Sequence, residues 1–503
     1  MVYGMLKLFS IFTILAIVLY SIAPKEYRHV ALLAVSLGCV GYYSKLGVVF
    51  LLVTMATTYG AGIIMNLIDE KHSTKGLEKP ERKKVKAHGK KCKKRVVFAY
   101  IFINIGVLFL LKYFKMFFPT VELPVFMNLA LPLGISYYTL QSLSYVIDVF
   151  RGKFKAEKDI FKVGLFVAFL PQLHEGPFGR YDQYKSTMFE NEPIKKEDVF
   201  NGVGTMLWGL FKIFMVANRA AIIADNVFAN YKEYNGISIF FGGVAFTVQL
   251  YAEFSGYIDV ARGVSEIFGI KLAKNFDMPF IARDVAEFWR RWHISLGQWF
   301  RDYIFYPVST AKIFKKAPDF VTINGALLAV WFLTGLWHGA SWKYVVYGLY
   351  YFVLMVLLNV LRPAFEKLWS KVDIKYGINE NSRSIILIQI LLTQFLVVIG
   401  MIMFRATNLM TFAEMMTSAI NGGKFVSLLE IMDIKEWIVF ISSIVILLLG
   451  PALEVKKYSI RNKYNQLSSA QKYLVCLGAA CCVIIFGAYG LDYIPPDPIY
   501  GGF

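Results

Sequence analysis

The chain has 503 residues, of which 57% are hydrophobic and 16% aromatic, and its formal net charge is +19. Soluble domains are roughly 45–50% apolar, so this composition excludes an ordinary soluble protein. The five cysteines show neither metal-ligand spacing nor the pattern of a disulfide framework.

Hydrophobic residues are concentrated in long runs, most of them close to the ~20 residues that a membrane-spanning helix needs. In chain order, these runs cover residues 8–22, 48–68, 96–118, 326–336, 345–360, 385–404, 437–453 and 473–491. We interpret the first run as a retained helix and not as a signal peptide, because Pro24 follows it at once and more spans come after. The pattern predicts an all-α, polytopic membrane protein with a single integral membrane domain over residues 1–503. We expect about 11 transmembrane helices, together with re-entrant or interfacial helices.

Residues 69–95 form the longest polar stretch of the chain. Within it, residues 71–95 contain twelve lysines and arginines against Glu78 and Glu81, which supplies about half of the net charge. Binding of nucleic acid or of an acidic partner is one interpretation. We favour a basic cytoplasmic loop that joins two spans and lies near anionic lipid headgroups, with no nucleic acid bound. Three spans before this loop would place the N-terminus outside the cytoplasm.

Residues 241–348 differ from ordinary spans, and we predict that they form the catalytic core. The aromatic run 249–259 contains Gln249, Glu253 and Ser255. Acidic groups at membrane depth must face protein or a water-filled cavity. Two alternatives remain open for these side chains: hydrogen bonds between helices, or a place on a substrate pathway.

Two histidines lie in unusual surroundings within this core. His338 stands between apolar segments, where an ionisable group is costly and is suspected of function. His293 lies in the aromatic and basic segment 283–303, which we predict to be one interfacial helix with Phe288, Trp292, Trp299 and Tyr303 along one side.

The two histidines are 45 residues apart, which is enough for one helix out and back, so they can meet at one depth. A neutral imidazole is the usual general base near pH 7. His293 is open to two interpretations, structural support or a direct role in the chemistry. No carboxylate or cysteine stands at ligand spacing from either histidine, so we predict no metal site there.

Several motifs together resemble the membrane-bound O-acyltransferase family. They are Phe-Trp-Arg-Arg-Trp-His-Ile-Ser-Leu at residues 288–296, Trp-Phe-Arg-Asp-Tyr at 299–303 and Gly-Leu-Trp-His-Gly-Ala-Ser-Trp at 335–342, with further matches at 131–139, 145–149, 249–256 and 275–276. The similarity is greatest to the bacterial branch that acylates extracytoplasmic glycans, which includes alginate and peptidoglycan O-acetyltransferases and teichoic acid D-alanyltransferases. Two stretches depart from the family pattern: His174-Glu175, interpreted as a local turn or a polar contact near the acceptor entrance, and Gly501-Gly502 near the C-terminus.

The resemblance implies a helical fold around a central tunnel, with His338 as the catalytic histidine and His293 as the family's second characteristic histidine. Trp337 and Trp342 would shape the passage. Other candidate tunnel or substrate-binding residues are Trp289, Trp292, Arg291, Asn275, Gln249, Glu253 and Ser255. No bound cofactor is implied: the acyl donor is a thioester substrate, either acetyl-CoA or an acyl carrier protein, which enters from the cytoplasm.

The implied activity is transfer of an acyl group to hydroxyls of an extracytoplasmic polysaccharide or cell-wall glycan, at the bacterial cytoplasmic membrane. The chain length favours acetyl over D-alanyl transfer to teichoic acid. A secreted SGNH-type acetyltransferase or a cytoplasmic carrier protein would be the partner, beside membrane lipid, and the chain could be a scaffold that passes acyl groups to such a secreted protein. A transporter or flippase without bond chemistry is the alternative of another class.

Overall fold

The computed structural model describes residues 2–121, 131–173, 175–376, 382–455 and 459–489, and the chain is helical in each of these ranges. No strand forms among these residues, although Tyr234 and Lys424 make an isolated bridge. A bilayer offers no water to the backbone, so a spanning segment must satisfy its own N–H and C=O groups, as a helix does. The predicted all-α membrane class is confirmed. His174 and the C-terminal glycine pair lie outside the described residues.

The chain forms two compact units. The first comprises residues 1–206 and 261–273. The helices that begin within it are α1 (Val2–Ile22), α2 (Arg28–Tyr43), α3 (Gly47–Lys71), α4 (Lys79–Phe117), α5 (Ile135–Arg151), α6 (Ile160–Ala168), α7 (Tyr181–Met188) and α8 (Lys196–Ala229). Helix α5 is buried over almost its whole length. Gly134 precedes α5 with φ 74°, and a Cβ atom there would overlap the carbonyl of Leu173, so this turn requires glycine.

The second unit comprises residues 207–260 and 274–499. Its helices are α9 (Gly236–Ile267, whose last turns belong to the first unit), α10 (Val285–Arg291), α11 (Ile294–Phe300), α12 (Asp319–His338), α13 (Trp342–Tyr376), α14 (Arg383–Arg405), α15 (Leu409–Asn421), α16 (Ile434–Val455), α17 (Ile460–Gln466) and α18 (Ser469–Phe486). Buried Arg219 of α8 holds this unit together: it donates to Glu436 of α16 at 2.7 Å and to the carbonyl oxygen of Phe486 at 2.7 Å. A buried guanidinium requires this kind of full pairing.

Eight helices among the described residues are long and apolar enough to cross a bilayer, judged by length and composition. They are α3, α4, α8, α9, α12, the first part of α13, α14 and α18. Shorter apolar helices cover Leu6–Ile22 and Leu409–Ile420. The chain is therefore a multi-pass membrane protein, and the expected number of about 11 spans stays a prediction.

The basic segment 69–95 is mostly helical, which corrects the predicted loop. Helix α3 continues to Lys71, and α4 begins at Lys79 with Pro80 in its first turn. Lysine and arginine are good helix formers, so the basic residues extend the apolar span of α4 by several turns without a break. Lys93 of α4 pairs with Asp69 at the end of α3 at 2.7 Å. The cytoplasmic side of this segment stays a prediction.

Helices α12 and α13 pack closely because glycine lies at their contact. A Cβ atom on Gly335 would overlap the carbonyl oxygen of Tyr344, and one on Gly348 would overlap that of Trp331. Small residues allow this approach of two backbones, which is a common way to join helices in membranes. Since α12 ends at His338, this contact also fixes the position of that histidine.

We expect Gly348→Ala to destabilise the protein, because the added methyl group must push α13 away from the backbone of α12. Overpacking of this kind costs about 1–3 kcal/mol. The melting temperature of the detergent-purified protein measures the effect. Gly478→Ala in α18 is the matched control, since its Cβ would meet no atom within 4 Å. A melting temperature of Gly348→Ala equal to that of the control would show that the contact is not tight.

Candidate active site

His293 stands at a break between two short helices. Its backbone is left-handed (φ 46°, ψ 50°), α10 ends at Arg291, and α11 begins at Ile294. The predicted continuous helix over residues 283–303 is therefore wrong. A non-glycine residue persists in this conformation only where its surroundings hold it there. Hydrogen bonds from Ile294 N to the carbonyl oxygen of Asn275 and from Asp277 N to that of Arg291, both 2.9 Å, supply that restraint.

The four aromatic residues assigned to one face of that helix are all buried: Phe288, Trp292, Trp299 and Tyr303 are 0–5% exposed. Trp292 packs against Phe276 and Phe288 at centroid distances of 5.1 and 5.4 Å. Arg291 stabilises the same junction, because its guanidinium donates to Glu287 at 2.8 Å and to the carbonyl oxygen of Asp277 at 3.1 Å. These contacts fix the backbone around His293.

The side chain of Asn275 sets the protonation pattern of His293. Both residues are buried. The Oδ1 atom of Asn275 accepts from Ser295 N at 2.9 Å and from Ser295 Oγ at 2.8 Å. Its Nδ2 atom lies 3.1 Å from His293 Nδ1, closer than Oδ1 at 3.3 Å. With Oδ1 occupied twice, Nδ2 donates to Nδ1, so a neutral His293 carries its proton on Nε2.

Burial lowers the pKa of His293 well below its ordinary value, and the charge of nearby His338 lowers it further. Desolvation disfavours the charged imidazolium, so the ring is neutral at pH 7. A neutral ring with a proton on Nε2 is a hydrogen-bond donor at that atom and not a base there.

His338 is the last residue of α12 and is 2% exposed. Its ring contacts Trp337, Phe404 and Tyr347 edge to face, at centroid distances of 5.1, 5.4 and 5.9 Å. The carbonyl end of a helix carries partial negative charge, which stabilises a positive imidazolium by about 0.3–1 kcal/mol. The aromatic surroundings keep the ring in place, and the helix end favours a positive charge on it.

The structure brings the two histidines to one indole ring. The centroid of the Trp337 ring lies 5.7 Å from that of His293 and 5.1 Å from that of His338. Phe254 of α9 contacts His293 from another direction at 4.8 Å. The 45-residue separation in sequence is thus closed in space, because both buried histidines contact the Trp337 ring.

The candidate residues on α9 have different environments. Gln249 is 2% exposed, and its Oε1 atom is buried with no hydrogen bond from the described residues. Glu253 and Ser255 are also buried. Ser255 accepts from Lys212 at 3.3 Å, and Lys212 pairs with Asp259 at 2.5 Å. Ser255 therefore belongs to a hydrogen-bond network between helices, which favours the interhelical interpretation for this residue.

The other two predicted tryptophans outside the His293 junction differ in their surroundings. Trp342 begins α13 and is 55% exposed, in contrast to the buried Trp337. The ring of Trp289 lies 5.1 Å from that of Trp331 and 4.7 Å from that of Tyr351. Its Nε1 atom is buried without a hydrogen-bond partner among the described residues. The predicted passage at Trp342 stays a prediction.

Sequence reasoning missed Tyr347 and Phe404, which contact the His338 ring. Tyr347 lies nine residues after His338, on the helix that follows α12 and packs against it. Its short distance in sequence could therefore have indicated a place near His338. Phe404 comes from α14, and the chain contains 43 phenylalanines, so no local pattern distinguishes it.

Comparison with known proteins adds independent information about this site. The model of the membrane-bound O-acyltransferase family matches residues 97–401, which include both histidines. A probable alginate O-acetylase of Pseudomonas syringae pv. tomato is 35% identical over 282 residues, which is 56% of this chain and 50% of that protein.

Two further relatives are named for other glycans. A teichoic acid D-alanyltransferase of Bacillus subtilis is 31% identical over 294 residues, 55% of this chain and 69% of that protein. A peptidoglycan O-acetyltransferase of Helicobacter pylori is 27% identical over 267 residues, 48% of this chain and 50% of that protein. The match spans about half the length of the alginate O-acetylases. Because the family model covers more than half of the chain, this protein belongs to the membrane-bound O-acyltransferase family.

Proposed function

We propose that this protein is a membrane O-acyltransferase that transfers an acyl group from a thioester donor to a hydroxyl of an extracytoplasmic glycan. The observation that supports the proposal most strongly is the pair of buried histidines on the Trp337 ring, within the segment that matches the family. A transporter needs intramembrane polar groups but not a neutral donor and a base side by side.

His338 is the general base of the proposed reaction. Its neutral imidazole takes the proton of the acceptor hydroxyl while the oxygen attacks the thioester carbonyl. The new C–O bond forms, the C–S bond breaks, and the imidazolium returns the proton to the departing thiolate. The carbonyl end of α12 stabilises the imidazolium between these two proton transfers.

His293 stabilises the charge on the carbonyl oxygen. With its proton on Nε2, it can donate to the oxyanion that forms during attack, and a donor held in place before the reaction is worth about 2.7–4 kcal/mol. Asn275 is the positioning residue that keeps the proton on that atom. The aromatic rings around both histidines exclude water, which favours acyl transfer to the glycan over hydrolysis.

We further propose which acyl group is transferred and from which side of the membrane each substrate enters. We propose acetyl as the transferred group, because five relatives named as probable alginate O-acetylases are 32–35% identical to this chain over the matched residues. The donor, acetyl-CoA or an acyl carrier protein, would enter from the cytoplasm, where we also place the basic start of α4. The acceptor would enter from outside, directly or through a secreted SGNH-type partner, and the N-terminus would face outside.

The ester content of the surface glycan tests this proposal. Glycan from cells with and without the protein is treated with mild base, and the released acids are identified by mass spectrometry. We expect acetate from cells with the protein and a loss of that acetate without it. Release of D-alanine in place of acetate would overturn the acetyl assignment, and an unchanged ester content would overturn the enzyme assignment.

A further inference from the structure

Two histidines and a cysteine meet between the end of α3 and the first half of α4. His72 follows the last residue of α3, and His88 and Cys92 lie one turn apart on the same face of α4. His72 Nε2 is 2.8 Å from His88 Nδ1, and Cys92 Sγ is 3.8 Å from the same atom. The three ligand atoms all lie within 4.8 Å of one another. All three belong to the first unit, whereas the two histidines described above belong to the second.

The backbone orients His72 toward its two neighbours. His72 Nδ1 lies 2.9 Å from the carbonyl oxygen of Ile68, which can only accept, so Nδ1 donates. The lone pair of the neutral ring is then on Nε2, the atom that faces His88 Nδ1. Metal-binding histidines are held in this way, with the second ring nitrogen donating to a backbone carbonyl or a carboxylate.

A glycine keeps the cluster tight. A Cβ atom on Gly89 would lie 3.2 Å from Cβ and Cγ of His72, closer than an ordinary contact. Because Gly89 has no Cβ atom, the His72 side chain can lie against α4 beside His88. The side chains of His72 and Cys92 are partly buried and that of His88 is exposed, so the cluster is open to solvent on one side.

We propose that His72, His88 and Cys92 bind a divalent d-block cation of the Zn²⁺ class, with water as the fourth ligand. Two imidazole nitrogens and one thiolate form a ligand set that suits tetrahedral Zn²⁺. Zn–N distances of about 2.0–2.1 Å place two tetrahedral nitrogens about 3.3 Å apart, so binding needs the two rings to separate by about 0.5 Å.

Metal binding would join the end of α3 to the first half of α4. The Cys92 thiol loses its proton on binding, and both imidazoles bind as neutral rings, so one proton is released for each cation bound. The site would therefore hold the basic first half of α4 against α3 near the Lys93–Asp69 ion pair. A simple hydrogen bond between His72 and His88 is the competing explanation of their 2.8 Å contact.

A cobalt titration separates these explanations. The full-length protein is purified in detergent without a polyhistidine tag, stripped of metal, and titrated with Co²⁺. We expect one Co²⁺ per chain, visible d–d bands of a tetrahedral site, and a near-ultraviolet thiolate-to-cobalt band that Zn²⁺ abolishes. Cys92→Ser should remove the thiolate band, and His72→Gln should weaken Co²⁺ binding at least tenfold.

Cys476→Ser is the matched control, since Cys476 lies in α18 and pairs with Tyr464. It should leave the titration unchanged. A wild-type protein without tetrahedral bands, or a thiolate band that survives in Cys92→Ser, would overturn the proposal and leave the hydrogen bond as the explanation. The glycan ester assay does not enter this test, so the two proposals can fail independently.

Discussion

Replacing His338 with glutamine is expected to lower the rate of acyl transfer by about 10²–10⁴-fold, the usual contribution of a general base. Glutamine fills much of the space between Trp337, Phe404 and Tyr347 but cannot take the hydroxyl proton at neutral pH. The initial rate at which labelled acetyl enters base-labile esters, measured in membranes with equal amounts of protein, reports the effect.

Asn324→Ala is the control for His338→Gln. Asn324 lies at the other end of α12, and its one side-chain hydrogen bond among the described residues is to the carbonyl oxygen of Phe320 in its own helix. We expect the control to keep the wild-type rate, and both variants to keep a wild-type melting temperature. A His338→Gln protein that transfers acetyl as fast as Asn324→Ala would show that His338 is not the general base.

Replacing Asn275 with aspartate is expected to lower kcat/KM by about 10–100-fold, which is typical of changes in the groups that orient a functional histidine. The carboxylate can still accept from Ser295 but cannot donate to His293 Nδ1. The carboxylate would instead accept a hydrogen bond from Nδ1–H, so the neutral ring would carry its proton on Nδ1 and could no longer donate from Nε2. The negative charge also raises the pKa of His293, because it favours the imidazolium.

The pH profile distinguishes this effect from simple destabilisation. The wild-type profile should show no ionisation of His293 near neutrality, because burial lowers its pKa well below the ordinary value. In Asn275→Asp, the raised pKa of His293 should appear as an additional ionisation in the pH profile. It should lie at a higher pH than the His293 ionisation of the wild type. Asn275→Ala, which only removes packing and hydrogen bonds, should lower the melting temperature without adding that ionisation. An aspartate variant with the wild-type rate and profile would contradict the assigned tautomer.

The apolar runs predicted the spanning helices well because the bilayer forces helix formation wherever a run is long enough. Residues 48–68 and 385–404 became α3 and α14 with ends within a few residues. The pair of histidines was also visible, since an ionisable residue between apolar segments is unusual in any sequence.

Contacts between distant segments could not be read from local patterns. The helix break at His293 depends on hydrogen bonds to residues 275–277, which precede it by more than a dozen positions. A pattern of aromatic residues at helical spacing is the same whether or not such a restraint exists. The environment of His338 likewise depends on Phe404 of α14.

The cluster of His72, His88 and Cys92 is only partly visible in the sequence. His88 and Cys92 stand at i and i+4, the spacing that places two ligands on one helix face. The third residue, His72, lies 16 positions earlier and joins them only because the α3–α4 connection turns back on itself. Histidines and cysteines must therefore be counted together when ligand spacing is assessed.

Proteoliposomes that contain the purified protein and enclose labelled acetyl-CoA test whether this chain couples thioester cleavage to acylation of a hydroxyl. When the glycan is added outside, we expect one free thiol for each base-labile acetyl ester formed, and almost no thiol without the glycan. Intact labelled thioester appearing outside, or thiol release no faster than in protein-free vesicles, would contradict this coupling.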